Sequence, residues 1–86
     1  MTKEILSPDQ ILSLLLSRDE KGFNYLYKNY SGALYGVIIR IVRYEEEANE
    51  VLQDVFVKIW NSVKSFDEKK ASLYTWMLNI ARNSAI

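Results

Sequence analysis

Apolar residues recur along this chain at three- and four-residue steps, the period of helices that each bury one face. The first such segment opens on Ser7-Pro8-Asp9-Gln10. Ser7 can accept a backbone N–H bond, Pro8 has no donor to waste at the first helical position, and Gln10 can reach back. A helix is predicted from there through Ile11 to about Ser17. Asp19 is a second cap, and Phe23, Leu26, Tyr27, Tyr30, Leu34, Val37, Ile38 and Ile41 predict a long amphipathic helix behind it. Gly32 and Gly36 lie inside that helix, where each costs about 0.5–1 kcal/mol relative to Ala. Close approach of a neighbouring helix would account for them.

The periodicity fails at Arg43-Tyr44-Glu45, and Glu45, Glu46 and Glu47 complement the positive end of a new helix dipole. A third helix is predicted over 46–64. With successive residues 100° apart, Ala48, Leu52, Val55, Phe56, Ile59 and Val63 fall in an arc about 100° wide, the span of a core-facing stripe. Phe66-Asp67-Glu68-Lys69-Lys70-Ala71 has no such pattern and reads as a loop, after which Ser72 caps a last helix. Leu73, Trp76, Met77, Ile80 and Ser84 form its buried side. The chain stops at Ile86 without Gly, Pro or a cationic last turn, an ending that reads as a cut. The fold class expected is all-α, a compact bundle of about four helices.

Composition narrows the function. The 86 residues hold 49% hydrophobic side chains, one Pro, three Gly, no repeat and no low-complexity tract, which describes one ordered domain. Without Cys or His there is no disulfide, no zinc or haem ligand set and no thiol or imidazole catalysis, so neither an enzyme nor a cofactor is expected. Glu46/Glu50 and Glu47/Glu50/Asp54 put acids on neighbouring helix faces, but oxygen-only cation sites draw ligands from several elements, so no metal is expected. No apolar run approaches a bilayer span, and Met1-Thr2-Lys3-Glu4 does not lead into a signal peptide; a cytoplasmic protein is expected.

Net charge is zero, but the charges are sorted. Residues 1–43 hold six basic and four acidic groups, 44–56 hold five acids and no base, and 57–86 hold five basic and two acidic groups. Two surfaces with different partners would follow from that sorting. On the third helix, Glu46, Glu50, Gln53, Val57 and Trp60 share a stripe beside the core face. An indole and a valine among acids and an amide fit a partner-helix interface with an aromatic anchor. Equally, the glutamates could serve only the helix start while Trp60 turns into the core. On the last helix, Thr75, Asn79 and Asn83 recur every fourth residue beside Arg82, and amides and guanidinium can pair with bases or phosphates. Upstream, Lys64, Lys69 and Lys70 surround Phe66, and Tyr74 and Trp76 open the helix, the cation–aromatic mixture of single-strand binders. An ordinary solvated face over core aromatics would give the same composition.

Ala48-Asn49-Glu50-Val51-Leu52-Gln53-Asp54-Val55-Phe56-Val57-Lys58-Ile59-Trp60, then Phe66, then Ser72-Leu73-Tyr74-Thr75-Trp76-Met77 and Ile80-Ala81-Arg82-Asn83, resembles region 2 of bacterial RNA polymerase sigma factors of the extracytoplasmic-function group. Phe23, Leu26, Tyr27, Tyr30, Leu34 and Tyr35 look like the first part of the same region. The resemblance covers 18–86 and leaves 1–17 as an N-terminal helical lead-in. It implies that the segment around Glu50, Gln53, Asp54, Phe56 and Trp60 docks on a coiled coil of the polymerase beta-prime subunit. It further implies that Phe66 to Ser72 and Tyr74 to Asn83 capture the non-template strand of the promoter minus-ten element. Lys64, Lys69, Lys70 and Arg82 would attract the backbone, and Asn83 and loop groups would prefer particular bases. An anti-sigma protein is a further partner implied by the family. Glu50 stands where the family more often has Asp, and Ala71 where Gly is frequent. Family members continue into a helix-turn-helix domain that this chain lacks, so a fragment is expected. The competing expectation is a helical protein-interaction domain with no DNA role, which the zero net charge favours.

Overall fold

A computed structural model describes residues 5–86; the reading of Met1 to Glu4 lies outside them. Four α-helices and a 3-10 turn make up the regular structure of the described residues, with no strand. Helix α1 spans Pro8–Leu16, and its start is the expected capping box: the Gln10 N–H donates to Ser7 Oγ (3.2 Å) and the Ser7 N–H donates to Gln10 Oε1 (2.8 Å). Helix α2 spans Glu20–Val42, with the Asp19 carboxylate accepting from the Lys21 N–H. It closes at Arg43, which takes the left-handed conformation (φ 68°) and turns the chain into α3 at Glu45–Ser62. The expected extension of α3 to residue 64 tightens instead into a 3-10 turn at Val63–Ser65, a common way to finish a helix. Helix α4 spans Leu73–Ala85 behind the Ser72 cap, and Arg82 does supply a cationic last turn, contrary to expectation.

Helix α2 touches each of the other three, so the core forms around it. Leu26, Leu34 and Ile38 of α2 meet Ile11 and Leu15 of α1, Ala48, Val55, Phe56 and Ile59 of α3, Val63, and Leu73, Met77, Ala81 and Ala85 of α4. The lead-in helix therefore shares this core. Leu52, the centre of the expected α3 arc, is half-buried and packs on the same cluster. Two α2 residues depart from the expected stripe: Tyr27 is 54% and Ile41 38% exposed. On α4 the expected Leu73 and Met77 are buried, the alanines at 81 and 85 join them, and Trp76, Ile80 and Ser84 flank them half-buried. Small side chains let α4 lie close, which a reading weighted toward large apolar residues misses. The shortest dimension is 18 Å, about two helix diameters. In so thin a body each helix keeps one side in solvent.

The glycines correct a second expectation. A Cβ at Gly32 or Gly36 would meet nothing within 4 Å, so no helix approaches them closely. The close approach is at Gly22, where a Cβ would stand 2.7 Å from Leu14 Cβ and 3.2 Å from the Leu15 nitrogen. Gly22→Ala is accordingly expected to destabilise the domain by about 1–3 kcal/mol through overpacking. Gly32→Ala and Gly36→Ala should each stabilise it by about 0.5–1 kcal/mol through helix entropy. Thermal melts of the three variants check this, and a Gly22→Ala protein melting above the parent would refute the close contact between α1 and α2.

Candidate nucleic-acid and partner interfaces

The acidic–aromatic stripe of α3 lies outside the core except at Trp60, whereas Phe56, which the resemblance also implied for docking, is buried in it. Glu46, Glu50, Gln53 and Asp54 are exposed, Val57 is 56% exposed and Trp60 is half-buried. Trp60 combines the two alternatives left open by the sequence, since it packs on the core cluster and also lines a surface cleft. Phe23 of α2 meets it edge-on, with centroids 5.6 Å apart and planes at 90°, and meets Phe56 at 5.8 Å. Tyr27 covers Phe56 from outside at 5.2 Å. Between α2 and α3 lies a cleft of about 440 Å³ lined by Glu20, Phe23, Asn24, Val57 and Trp60. Its floor is apolar, and its α2 wall contributes one carboxylate and one amide, the pattern of a seat for an apolar side chain ringed by polar contacts.

Sequence reasoning missed that α2 wall and missed Arg18. Helix α1 ends in a Schellman turn: the Arg18 N–H donates to the Leu15 carbonyl (3.1 Å) and the Asp19 N–H to the Leu14 carbonyl (2.9 Å). Such a turn needs a left-handed residue, and Arg18 supplies it at φ 60°, a conformation that costs a side-chain-bearing residue about 1–2 kcal/mol. The Arg18 guanidinium lies 4.7 Å from the centroid of the Trp60 ring, and its Nη1 donates to the Trp60 carbonyl. The one available signal was a negative one, the lack of glycine after the first helix.

The second surface runs from the 3-10 turn into α4. Lys64 is exposed on that turn. Asp67 then folds the loop back: its Oδ1 accepts from the Lys69 N–H and its carbonyl from the Lys70 N–H, each at 3.0 Å, which leaves both lysines exposed. Ser72 is engaged as a cap, accepting from the Thr75 N–H (3.1 Å) and donating to Thr75 Oγ1 (3.0 Å). Phe66 and Trp76 pack on each other at 5.3 Å, half-buried, so the loop aromatic is anchored and does not project freely. Tyr74 is 43% exposed and rests on Tyr30 of α2 at 5.8 Å. Burial, and then the nearby Tyr25 and Tyr74 hydroxyls, push the Tyr30 phenol above its ordinary pKa.

Thr75, Asn79, Arg82 and Asn83 all face solvent, on one side of α4. Lys58 Nζ donates to Ser84 Oγ at 2.9 Å and ties α3 to the far end of that helix. The loop lysines, the anchored aromatic pair and the amide–guanidinium stripe thus form one continuous stretch of chain. They share no residue with the α3 cleft. No metal-ligand cluster occurs among the described residues, and no helix there is long and apolar enough to cross a membrane.

Residues 26–86 match the sequence profile of sigma-70 region 2. Among curated proteins, the chain is similar to the "ECF RNA polymerase sigma factor SigK" of Mycobacterium sp. (strain KMS), 31% identical over 78 residues that cover 91% of this chain and 40% of that protein. The protein of the same name from Mycobacterium tuberculosis (strain CDC 1551 / Oshkosh) is 26% identical over 91% of this chain and 42% of its own length. The chain therefore spans well under half of these relatives. No solved structure matches it.

Proposed function

The chain belongs to the sigma-70 region 2 family, a non-enzymatic family, and on that premise we propose that it is a promoter-opening module of transcription initiation with two partners. The α3 stripe of Glu46, Glu50, Gln53, Asp54, Val57 and Trp60 docks on the polymerase beta-prime coiled coil. The stretch of Lys64, Phe66, Lys69, Lys70, Ser72, Tyr74, Thr75, Trp76, Asn79, Arg82 and Asn83 holds the non-template strand of the minus-ten element. The observation that carries this reading is that both stretches lie largely outside the core, one beside an apolar cleft and the other bearing exposed cations and amides. Those features suit a helix and a nucleic acid respectively.

The mechanism is capture without chemistry. Unstacking a base costs a few kcal/mol, and a surface that stacks and hydrogen-bonds the freed base recovers that cost, so the open strand is selected by binding alone. Tyr74 and the Phe66–Trp76 pair offer the stacking surfaces, and Asn79 and Asn83 offer amides to base edges. With Lys64, Lys69, Lys70 and Arg82 as phosphate contacts, log K for single-stranded DNA falls with log salt at a slope no steeper than about −3. Such a module works in the cytoplasm, where an anti-sigma protein could occlude either surface.

Binding to a beta-prime coiled-coil fragment tests the first half. Gln53→Ala and Glu50→Lys, both folded by circular dichroism, are expected to weaken it by about tenfold or more, a loss of 1.4 kcal/mol. Absence of binding by folded parent protein would sink the docking role. For the second half, Asn83→Ala should lose affinity for a minus-ten single strand with helicity intact. Equal binding by parent and variant would remove α4 from the DNA surface and favour a protein-interaction domain.

A further inference from the structure

We propose that Arg18 is a positioning residue of the docking cleft, holding Trp60 at the cleft rim so that the apolar seat exists before a partner helix arrives. The role rests on the docking reading above. The Schellman turn that ends α1 puts Arg18 in a left-handed conformation that glycine adopts without strain. Backbone geometry alone would favour glycine there, as it would at Arg43, and what sets Arg18 apart is where its side chain goes. It makes both of its contacts on one residue, 42 positions away: the guanidinium lies 4.7 Å from the indole centroid, and Nη1 donates to the Trp60 carbonyl.

That carbonyl belongs to the last turn of α3, which has no basic residue of its own to meet the negative end of its dipole. Phe23 meets the indole edge-on at 5.6 Å. Held by the α1–α2 turn and by α2, Trp60 presents what remains of its surface to the cleft beside Val57. An anchor already fixed in its bound rotamer loses less freedom on association. A planar guanidinium can stack and donate at once, whereas a lysine ammonium is a point charge.

The test uses a Trp76→Phe background, in which Trp60 is the sole indole. Arg18→Gly, which relieves the turn while deleting the side chain, is compared with Arg18→Lys by circular dichroism, Trp60 emission, acrylamide quenching and affinity for the beta-prime coiled-coil fragment. Arg18→Gly is expected to stay helical, to shift the Trp60 emission and about double its quenching, and to bind roughly tenfold more weakly. Arg18→Lys should recover part of each. Unchanged emission and affinity in Arg18→Gly would refute the positioning role. Weaker binding with unchanged Trp60 spectra would also refute it, because Arg18 would then touch the partner directly. Should Arg18→Gly lose helicity, Arg18→Met, which keeps the aliphatic stem, provides the same readouts. A folded parent that binds nothing overturns the docking reading itself and this role with it, a pattern distinct from either refutation above.

Discussion

Trp60→Ala is expected to weaken binding to the beta-prime coiled coil by about thirtyfold or more, roughly 2 kcal/mol, while the domain stays helical. Tryptophan is among the side chains that carry most of an interface's energy when a pocket seats them, and Trp60 lines the cleft with Phe23 and Val57. Because the indole is half-buried, its loss also removes packing from Phe23, so a modest drop in melting temperature accompanies the variant. Val57→Ser separates the two effects. At 56% exposure Val57 contributes little to the core, and such surface changes move stability by about 0.5 kcal/mol or less. Its affinity should nevertheless fall, by less than that of Trp60→Ala. Isothermal titration at a temperature well below both melts decides the matter. If both variants bind as the parent does, the cleft is not where the partner helix sits.

The parts of the fold that were legible in the sequence are those fixed by neighbours a few residues apart. The Ser7/Gln10 capping box, the Asp19 and Ser72 caps and the break at Arg43 each depend on chemistry within one turn, and each stands where expected. The core face of α3 was legible because its apolar residues share one arc whatever packs against them. Depth and pairing were not legible. Periodicity assigns Tyr27 and Ile41 to the α2 stripe, but how far a stripe residue is covered depends on what lies opposite, and nothing local encodes that. The glycines show the same limit. Gly32 and Gly36 announce themselves in mid-helix, yet only Gly22 meets a neighbour, because α1 folds back across the start of α2.

The candidate site divides along the same line. The helical wheel placed Glu46, Glu50, Gln53, Val57 and Trp60 on one side of α3, and all but the half-buried Trp60 are exposed there. The opposite wall of the cleft, from Glu20, Phe23 and Asn24, comes from a different helix and had no sequence signature of its own. Phe66 and Trp76 looked like separate members of a basic–aromatic stretch, whereas they form a pair that braces the loop against α4. For the proposed strand-binding role that bracing is favourable, since a loop that presents Lys69 and Lys70 from an ordered turn has less freedom to lose on binding.

Ile59→Ala, one residue before the proposed docking anchor, is expected to behave in the opposite way from Trp60→Ala. Ile59 is 0% exposed in the cluster that α3 shares with α2 and α4. Truncating a fully buried isoleucine costs about 2–5 kcal/mol in lost transfer energy and cavity. A domain of this size holds about 4–13 kcal/mol in all. Each kcal/mol moves the melt of so small a domain by about 4–8 °C, so the variant should melt at least about 10 °C below the parent. Its affinity for the coiled coil should fall only by the fraction of molecules left folded, and cooling should restore it. Trp60→Ala, by contrast, keeps its affinity deficit at every temperature where it is folded. Circular dichroism melts read alongside titrations at two temperatures distinguish the residues. An Ile59→Ala domain melting within about 5 °C of the parent would mean that the buried face of α3 does not hold the bundle together. The presentation of its outer stripe would then need another cause.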